Sequence, residues 1–298
     1  MTHPHHATSG RVVVTGASGR LGPAVVRHLA DHGWEVVAVD RVPPREPQPA
    51  TFVRADLTDL GQVVELLTGF DESSPATAVV HLAAVPAPGM VPDAATFANN
   101  VPATYNVFRA ARIAGIRNVV WASSETVLGL PFDVPPPYVP VDEEYAVLPT
   151  TTYSLGKAVE EEMARHLTRW DPGLKLVGLR FSNVMLPEDY ATFPGWQDDA
   201  SRRRWNLWGY IDARDGAQAV RLALEADLTG WEAFIVANAN TVMTRDSADL
   251  LAEHFPDVPL ARPVTGRETL LSIDKARRVL GYEPQHAWQD QLPGRSEA

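Results

Sequence analysis

Short apolar runs alternate along most of the chain with longer stretches in which apolar residues recur every three or four positions. Val12-Val13-Val14, Val36-Val37-Ala38-Val39, Thr51-Phe52-Val53, Ala78-Val79-Val80-His81-Leu82, Asn118-Val119-Val120-Trp121-Ala122, 174–180 and 233–236 read as short strands. Between them, Leu21, Val25, Val26 and Leu29 fall on one helical stripe that stops at Asp31-His32-Gly33. Helices are predicted over roughly 59–68, 94–114 and 152–169, and again around 212–226, 246–254 and 274–280. Strands and helices in strict alternation build an α/β fold with a parallel doubly wound sheet, whose ligand lies beyond the carboxyl ends of the strands.

Two stretches break the pattern. The proline-rich segment 130–149, with Asp142-Glu143-Glu144, can neither stay helical nor sit inside a sheet, so it reads as a long loop and a candidate substrate lid. From Pro187 to Trp208 the chain is rich in aromatic residues and aspartates and holds the run Arg202-Arg203-Arg204, which ordinarily marks a solvated face. The expected division is therefore residues 1–186 as the main domain and 187–298 as a small substrate-binding lobe, interleaved with the end of the sheet.

The first strand runs into Thr15-Gly16-Ala17-Ser18-Gly19-Arg20-Leu21-Gly22. Glycines at 16, 19 and 22 suit a sharp turn into a helix, close approach of a ligand, and packing of that helix on the sheet. The free amides at the helix start would hold a pyrophosphate. Asp40 ends the second strand, 18 residues beyond Gly22, where a carboxylate can accept hydrogen bonds from an adenosine ribose. Arg41 follows it. A carboxylate repels the extra phosphate of NADP and an arginine attracts it; the strand-end position of Asp40 favours NAD, with NADP left open. After the fourth strand, Ala83 and Ala84 are small enough to let a dinucleotide lie close. His81 sits within an apolar run and is expected to pack beside the sheet.

Composition narrows the partners. With 298 residues, 45% of them hydrophobic, the chain can bury a large core. A net charge of −11 repels a nucleic-acid backbone or an anionic membrane surface. The absence of cysteine removes disulfides, thiolate zinc sites and a cysteine nucleophile together, in keeping with a cytoplasmic protein. No apolar stretch reaches membrane-spanning length and no secretory leader is evident, so neither a membrane nor a metal is expected as a partner. His5 and His6 read as a frayed terminus.

Tyr153 and Lys157 stand four residues apart at the start of the long helix predicted over 152–169, so both lie on one face. A phenol normally titrates at about 10, and a neighbouring ammonium favours its ionised form, which would make Tyr153 an acid/base.

Together the loop at 15–22, Asp40, Asp56-Leu57, Leu82-Ala83-Ala84, Ser123-Ser124 and Tyr153/Lys157 resemble the extended short-chain dehydrogenase/reductase family, the NAD-dependent epimerase/dehydratase group. The stretch from Asn99-Asn100-Val101 to Asn106 resembles that family's Asn-Val-x-Gly-Thr-x-Asn helix start, and Leu179-Arg180-Phe181-Ser182-Asn183-Val184 its Leu-Arg-x-x-Asn-Val segment. Ser272 to Ala276 and Leu280 to Pro284 resemble its closing pattern, so the likeness covers almost the whole chain. The resemblance implies a Rossmann-type NAD-binding domain. It makes Tyr153 the acid/base, Lys157 the residue that lowers its pKa and binds the nicotinamide ribose, and Ser124 a hydrogen-bond donor to the reacting oxygen. Gly16, Ser18, Gly19, Arg20, Leu21 and Gly22 would line the phosphates, and Asp40 and Arg41 the adenosine ribose. Asp56 and Leu57 would flank the adenine, with Leu82, Ala83, Ala84, Asn99 and Phe181 also near the cofactor. Ser124, Glu125 and Asn183 would face the substrate. The helices over 94–114 and 152–169 resemble those that pair across a two-fold axis in this family, which implies a homodimer.

Departures from the family pattern bear on the reaction. Family dehydratases carry an acidic pair after the catalytic serine or threonine, whereas Glu125 is followed here by Thr126. Trp208 stands where sugar-nucleotide enzymes present an arginine to the diphosphate, and a tryptophan offers one neutral donor. These features favour an NAD-dependent oxidoreductase acting at a secondary alcohol or carbonyl of a small sugar-like molecule. A nucleotide-sugar epimerase is the alternative, and a non-catalytic NAD(P)-sensing regulator a third, less favoured one.

Overall fold

Short, mostly apolar runs, each holding at least one valine, make the strands of the main sheet. In the computed structural model, which describes residues 10–70 and 74–291, these are β1 (Arg11–Thr15), β2 (Glu35–Asp40), β3 (Thr51–Arg54), β4 (Ala78–His81), β5 (Asn118–Ser124) and β6 (Lys175–Phe181). Two short strands, β7 (Val184–Met185) and β8 (Ile211–Asp212), pair only with each other, and β9 (Gly230–Val236) then returns to the main sheet. The sheet has the order β3-β2-β1-β4-β5-β6-β9 and every pairing is parallel, as the alternating pattern predicts. His5 and His6 lie outside the described residues.

Helices α1 (Gly22–Asp31), α2 (Leu60–Thr68), α3 (Asp93–Ile113), α4 (Thr152–Trp170) and α5 (Ala213–Glu225) cover the sheet. On one face α1 packs with α5; on the other α2 packs with α3, and α3 with α4. Strand order reverses between β1 and β4, so a crevice opens at their carboxyl ends, with the glycine loop on one side and residues 82–85 on the other. Although α5 and β9 follow residue 187, they belong to this three-layer body; of the other helices after residue 187, α6 (Ser247–His254) and α7 (Asp274–Leu280), the second packs on β9 and α5.

The orientation of α4 is set at two places. At its start, the Thr151 hydroxyl accepts from the Ser154 amide at 3.1 Å while the Ser154 hydroxyl accepts from the Thr151 amide at 2.9 Å, so Tyr153 sits in the first turn and Lys157 one turn on. Farther along, buried Glu161 takes two hydrogen bonds from Arg180 of β6, at 3.0 and 2.8 Å, and one from Ser123 of β5 at 2.6 Å. Removing one partner of such a pair strands a buried charge and typically costs roughly 3–5 kcal/mol. The helix cannot slide on the sheet without breaking it.

The segment 130–149 is fastened down, which corrects the expectation of a free lid. Val139 and Val141 are buried and form parallel bridges to Leu260 and Leu271. Backbone bonds run from Val141 to Leu270 (2.8 Å), from Ser272 to Val141 (2.7 Å) and from Phe132 to Trp205 (3.0 Å). Its valines and Phe132 supply apolar contacts that the proline content obscured. Among the described residues no helix is long and apolar enough to cross a membrane, and no cluster of His, Asp and Glu is arranged to hold a metal.

Candidate active site

The glycine loop follows β1 directly. Gly16 has φ +71°, and a Cβ there would stand 2.6 Å from the Ala83 amide nitrogen; at Gly22 it would stand 2.2 Å from the Gly16 carbonyl oxygen. The loop therefore has room only for glycine at both positions, and Gly19 is exposed at its tip. Leu21 caps α1 and is buried, and α1 begins without a side-chain cap, leaving first-turn amides to an incoming anion.

Asp40 closes the far side of the loop. Its Oδ2 accepts from the Ser18 amide at 3.0 Å and its Oδ1 from the Val42 amide at 3.2 Å, while the Ser18 hydroxyl donates to the Val42 carbonyl at 2.6 Å. Each carboxylate oxygen keeps a lone pair for a ribose hydroxyl. Arg41 is exposed beside it. Arg20 reaches across the crevice, where its Nε donates to the Val184 carbonyl at 2.7 Å and its guanidinium pairs with Asp189 of the lobe.

Beyond β3, Asp56 is held by the Thr58 amide (2.9 Å) and hydroxyl (2.8 Å), which keep its carboxyl below the usual range. Leu57 is buried, and its carbonyl accepts from Asn106 at 2.9 Å. Leu82, Ala83 and Ala84 are half-buried along the crevice. Phe181 packs beneath the loop, in the same apolar core as Leu21, and a Cβ at Gly216 would stand 3.0 Å from Leu21 and 3.5 Å from Phe181.

Asn100 is the residue sequence reasoning missed. It is buried and grips Val85 at both ends, accepting from its amide at 2.8 Å and donating to its carbonyl at 3.0 Å. Asn99, expected at the cofactor, is half-buried and donates to Asn100 Oδ1 at 3.0 Å. The signal was present: Asn100-Val101 starts the Asn-Val pattern in register, and Asn99 precedes it. Gln48 Nε2 also supports the loop by donating to the Ala17 carbonyl at 2.9 Å, with no pattern in the sequence to mark it.

Ser124, Tyr153 and Lys157 come together at the carboxyl end of β5. The Ser124 oxygen accepts from the Thr126 amide (3.2 Å) and hydroxyl (3.0 Å), so its own proton is left to favour the ionised form of the neighbouring Tyr153 phenol. Lys157 is 2% exposed; its Nζ donates to the Ala122 carbonyl at 2.8 Å and to Glu160 at 2.9 Å. Burial raises the Tyr153 phenol above its ordinary value, and the Lys157 charge and Ser124 hydroxyl act in the opposite sense. Behind them His81 is buried between the hydroxyls of Thr15 (2.7 Å) and Thr104 (3.0 Å). Burial and the Lys157 charge push it down to about 3, so it is a neutral packing residue, as its place in an apolar run suggests.

Glu125 is turned into the protein rather than presented to a substrate. It is 3% exposed and its two oxygens accept from Ser182 (2.6 Å) and Asn206 (3.1 Å). Its carboxyl is pushed up to about 7 by burial, against those hydrogen bonds and the Arg203 charge. A folded value above the ordinary one near 4.5 means that the folded protein keeps a proton the unfolded chain has released, so stability falls as pH rises through that window. Glu125→Gln is expected to remove a decline of roughly 3 kcal/mol, measured as urea-unfolding free energies at pH 5 and pH 8. A decline of equal size in the variant would assign it to other groups. Asn183 is half-buried at the same edge, its amide near enough to Glu125 to favour the ionised carboxyl slightly and its carbonyl accepting from Ile211 at 3.1 Å.

The arginine run is not a solvated face throughout. Arg203 is buried between the rings of Trp196 and Trp205, 4.7 and 5.2 Å from their centroids, and Arg204 stacks on Phe255 at 4.9 Å. Trp208 is buried too, its indole donating to the Ala200 carbonyl at 2.7 Å.

Known proteins resemble this chain in sequence and in fold. UDP-glucose 4-epimerase 2 of Oryza sativa subsp. japonica is 29% identical over 190 residues, which are 58% of this chain and 44% of that enzyme, so the match spans under half of the plant protein. L-arabinose 1-dehydrogenase (NAD(P)(+)) of Haloferax volcanii is 26% identical over 285 residues, 92% of this chain and 96% of the other. A crystal structure of UDP-galactose 4-epimerase superposes with a TM-score of 0.69 at 27% identity, covering 94% of this chain and 95% of that one. Residues 12–237, which hold the glycine loop, Asp40, Ser124, Tyr153 and Lys157, match one family along their length: the chain belongs to the NAD dependent epimerase/dehydratase family.

Proposed function

We propose that the protein is an NAD-dependent oxidoreductase moving a hydride at a secondary alcohol or carbonyl of a sugar-like small molecule. The observation that carries this reading is the buried grouping of Ser124, Tyr153 and Lys157 at the edge of the crevice headed by the glycine loop. NAD, when bound, supplies the hydride acceptor or donor. The residues fit it: Gly16 and Gly22 leave a cradle that a Cβ would fill, α1 offers uncapped amides, and Asp40 keeps free lone pairs.

In this reading Tyr153 takes the hydroxyl proton of the substrate during oxidation and returns it during reduction. Ser124 donates to the same oxygen as its charge changes, and the Lys157 ammonium favours the ionised phenol. Asn183 lines the substrate side. Lining by Glu125 is not part of the proposal, because both of its oxygens are engaged within the protein.

Dehydrogenation is favoured over epimerisation of a nucleotide sugar by Trp208, Arg203 and Arg204. The first gives its only donor to Ala200, and the other two stack on aromatic rings, so none is set out toward a diphosphate. The nearly full-length likeness to UDP-galactose 4-epimerase supports the second reading. Incubation with NAD and a panel of aldoses, uronic acids and UDP-sugars separates them: stoichiometric NADH at 340 nm is expected, whereas an interconverted UDP-sugar with no net NADH would sink the dehydrogenase.

Asp40 sets the cofactor preference. Asp40→Ser is expected to lower the ratio of NADP to NAD dissociation constants at least tenfold, read by fluorescence titration with both, because the variant loses the charge that repels a 2′-phosphate and keeps Arg41 beside it. An unchanged ratio would place the discrimination elsewhere.

A homodimer through α3 and α4 is also proposed. Tyr105 and Ile113 of α3 and Leu155 and Trp170 of α4 are exposed apolar side chains. A monomer mass by light scattering at micromolar concentration would remove this.

A further inference from the structure

The helix α4 carries a carboxylate that this hydride chemistry does not require. Glu160 lies three residues after Lys157 and is 0% exposed, with Oε2 at 2.9 Å from the lysine Nζ. That ammonium also donates to the Ala122 carbonyl, at 2.8 Å. A lysine beside a catalytic phenol acts through its positive charge. Here that charge meets a counter-charge at contact distance, so Tyr153 faces an ion pair in place of a free cation.

The surrounding groups do not undo this. From β4, His81 is held neutral between Thr15 and Thr104; burial raises the Glu160 carboxyl above its ordinary value, and the Lys157 charge and the Thr104 hydroxyl of α3 act in the opposite sense. On α4 itself, Glu161 is engaged by Arg180 and Ser123. Glu125, after β5, is occupied by Ser182 and Asn206. Burial works against the Lys157 ammonium, yet Glu160 and Tyr153 together hold its titration above the ordinary value.

We propose that Glu160 is a positioning residue that fixes Lys157 and cancels much of its charge, so that Tyr153 remains a phenol in the cofactor-free protein. With NAD+ held at the glycine loop and Asp40, the positive charge it supplies would favour release of the Tyr153 proton to solvent. The base is thus formed only when a hydride acceptor is in place. The inference rests on Tyr153 being the acid/base.

The test is a titration that needs no substrate. In protein labelled with 13Cζ-tyrosine, the resonance missing from Tyr153→Phe reports Tyr153. Glu160→Gln keeps the shape and the acceptor oxygen, and is expected to lower the Tyr153 midpoint by about one pH unit or more in the cofactor-free protein, the size of effect a neighbouring charge exerts. NAD+ is expected to lower the midpoint of the unaltered protein, and NADH to leave it in place. An unchanged or higher midpoint in the variant overturns the proposal. Should the variant not fold, 15Nζ-lysine spectra of the unaltered protein decide: Lys157, assigned by its loss in Lys157→Arg, is expected to stay an ammonium beyond the ordinary midpoint of about 10.4, and earlier deprotonation overturns the proposal. Hydride transfer that survives Tyr153→Phe would instead overturn the functional reading, and leaves the Glu160–Lys157 titration standing.

Discussion

Tyr153→Phe is expected to lower the rate of NAD reduction by roughly 10²–10⁴-fold, the contribution of a positioned general acid/base, with little change in NAD affinity or melting temperature. The ring is buried in the wall of the crevice, so phenylalanine keeps its packing and removes only the oxygen. That oxygen is the one whose ionised form the Lys157 charge and the Ser124 hydroxyl favour against burial. Phenol loss leaves Lys157 with Glu160 and Ala122 as partners, so no buried charge is stranded. Single-turnover kinetics with a substrate found in the panel, alongside NAD titration and a thermal melt, check the three parts separately. A variant turning over at a tenth of the parent rate or better would show that another group moves the proton.

Gly16→Val is expected to weaken NAD binding at least 100-fold and to destabilise the fold. Two independent costs meet at this position. The backbone is left-handed at φ +71°, which costs a side-chain-bearing residue roughly 1–2 kcal/mol, and more for a β-branched one. The added Cβ would also fall 2.6–2.9 Å from the backbone of Leu82 and Ala83, and overpacking of this kind costs roughly 1–3 kcal/mol. Relief must come from moving the loop away from β4, which opens the cradle in which the phosphates would sit. Calorimetric titration with NAD and a thermal melt read the two effects. Tight binding with a lowered melting temperature would separate the loop from cofactor recognition.

Much of this site is legible in the linear sequence, and the illegible part has a common cause. Strands such as Val12-Val13-Val14 announce themselves because burial on both faces demands continuous apolar runs. The glycine loop, Asp40, Ser124 and the Tyr153/Lys157 pair announce themselves because chemistry demands fixed spacing within one or two elements. Asn100 was one residue from legibility, hidden by a neighbouring identical side chain. Glu160 and Arg203 are different. A carboxylate in a helix and an arginine in a charged run read as solvated, and only tertiary packing buries them, Glu160 near Thr104 of α3 and Arg203 between Trp196 and Trp205 of its own segment. The same holds for segment 130–149, whose bridge partners lie 121 and 130 residues away along the chain and leave no local periodicity.

Arg20 bridges the glycine loop and the segment that follows β7. Its guanidinium belongs to the glycine loop by sequence and to Val184 and Asp189 by contact. An anion arriving at the loop and the Asp189 carboxylate draw on the same donors, so occupancy of the crevice and attachment of the lobe are linked equilibria, each biased by the other to the same extent. Cofactor exchange and substrate access in this chain are therefore expected to share one thermodynamic cycle, with a single exposed ion pair as its hinge point.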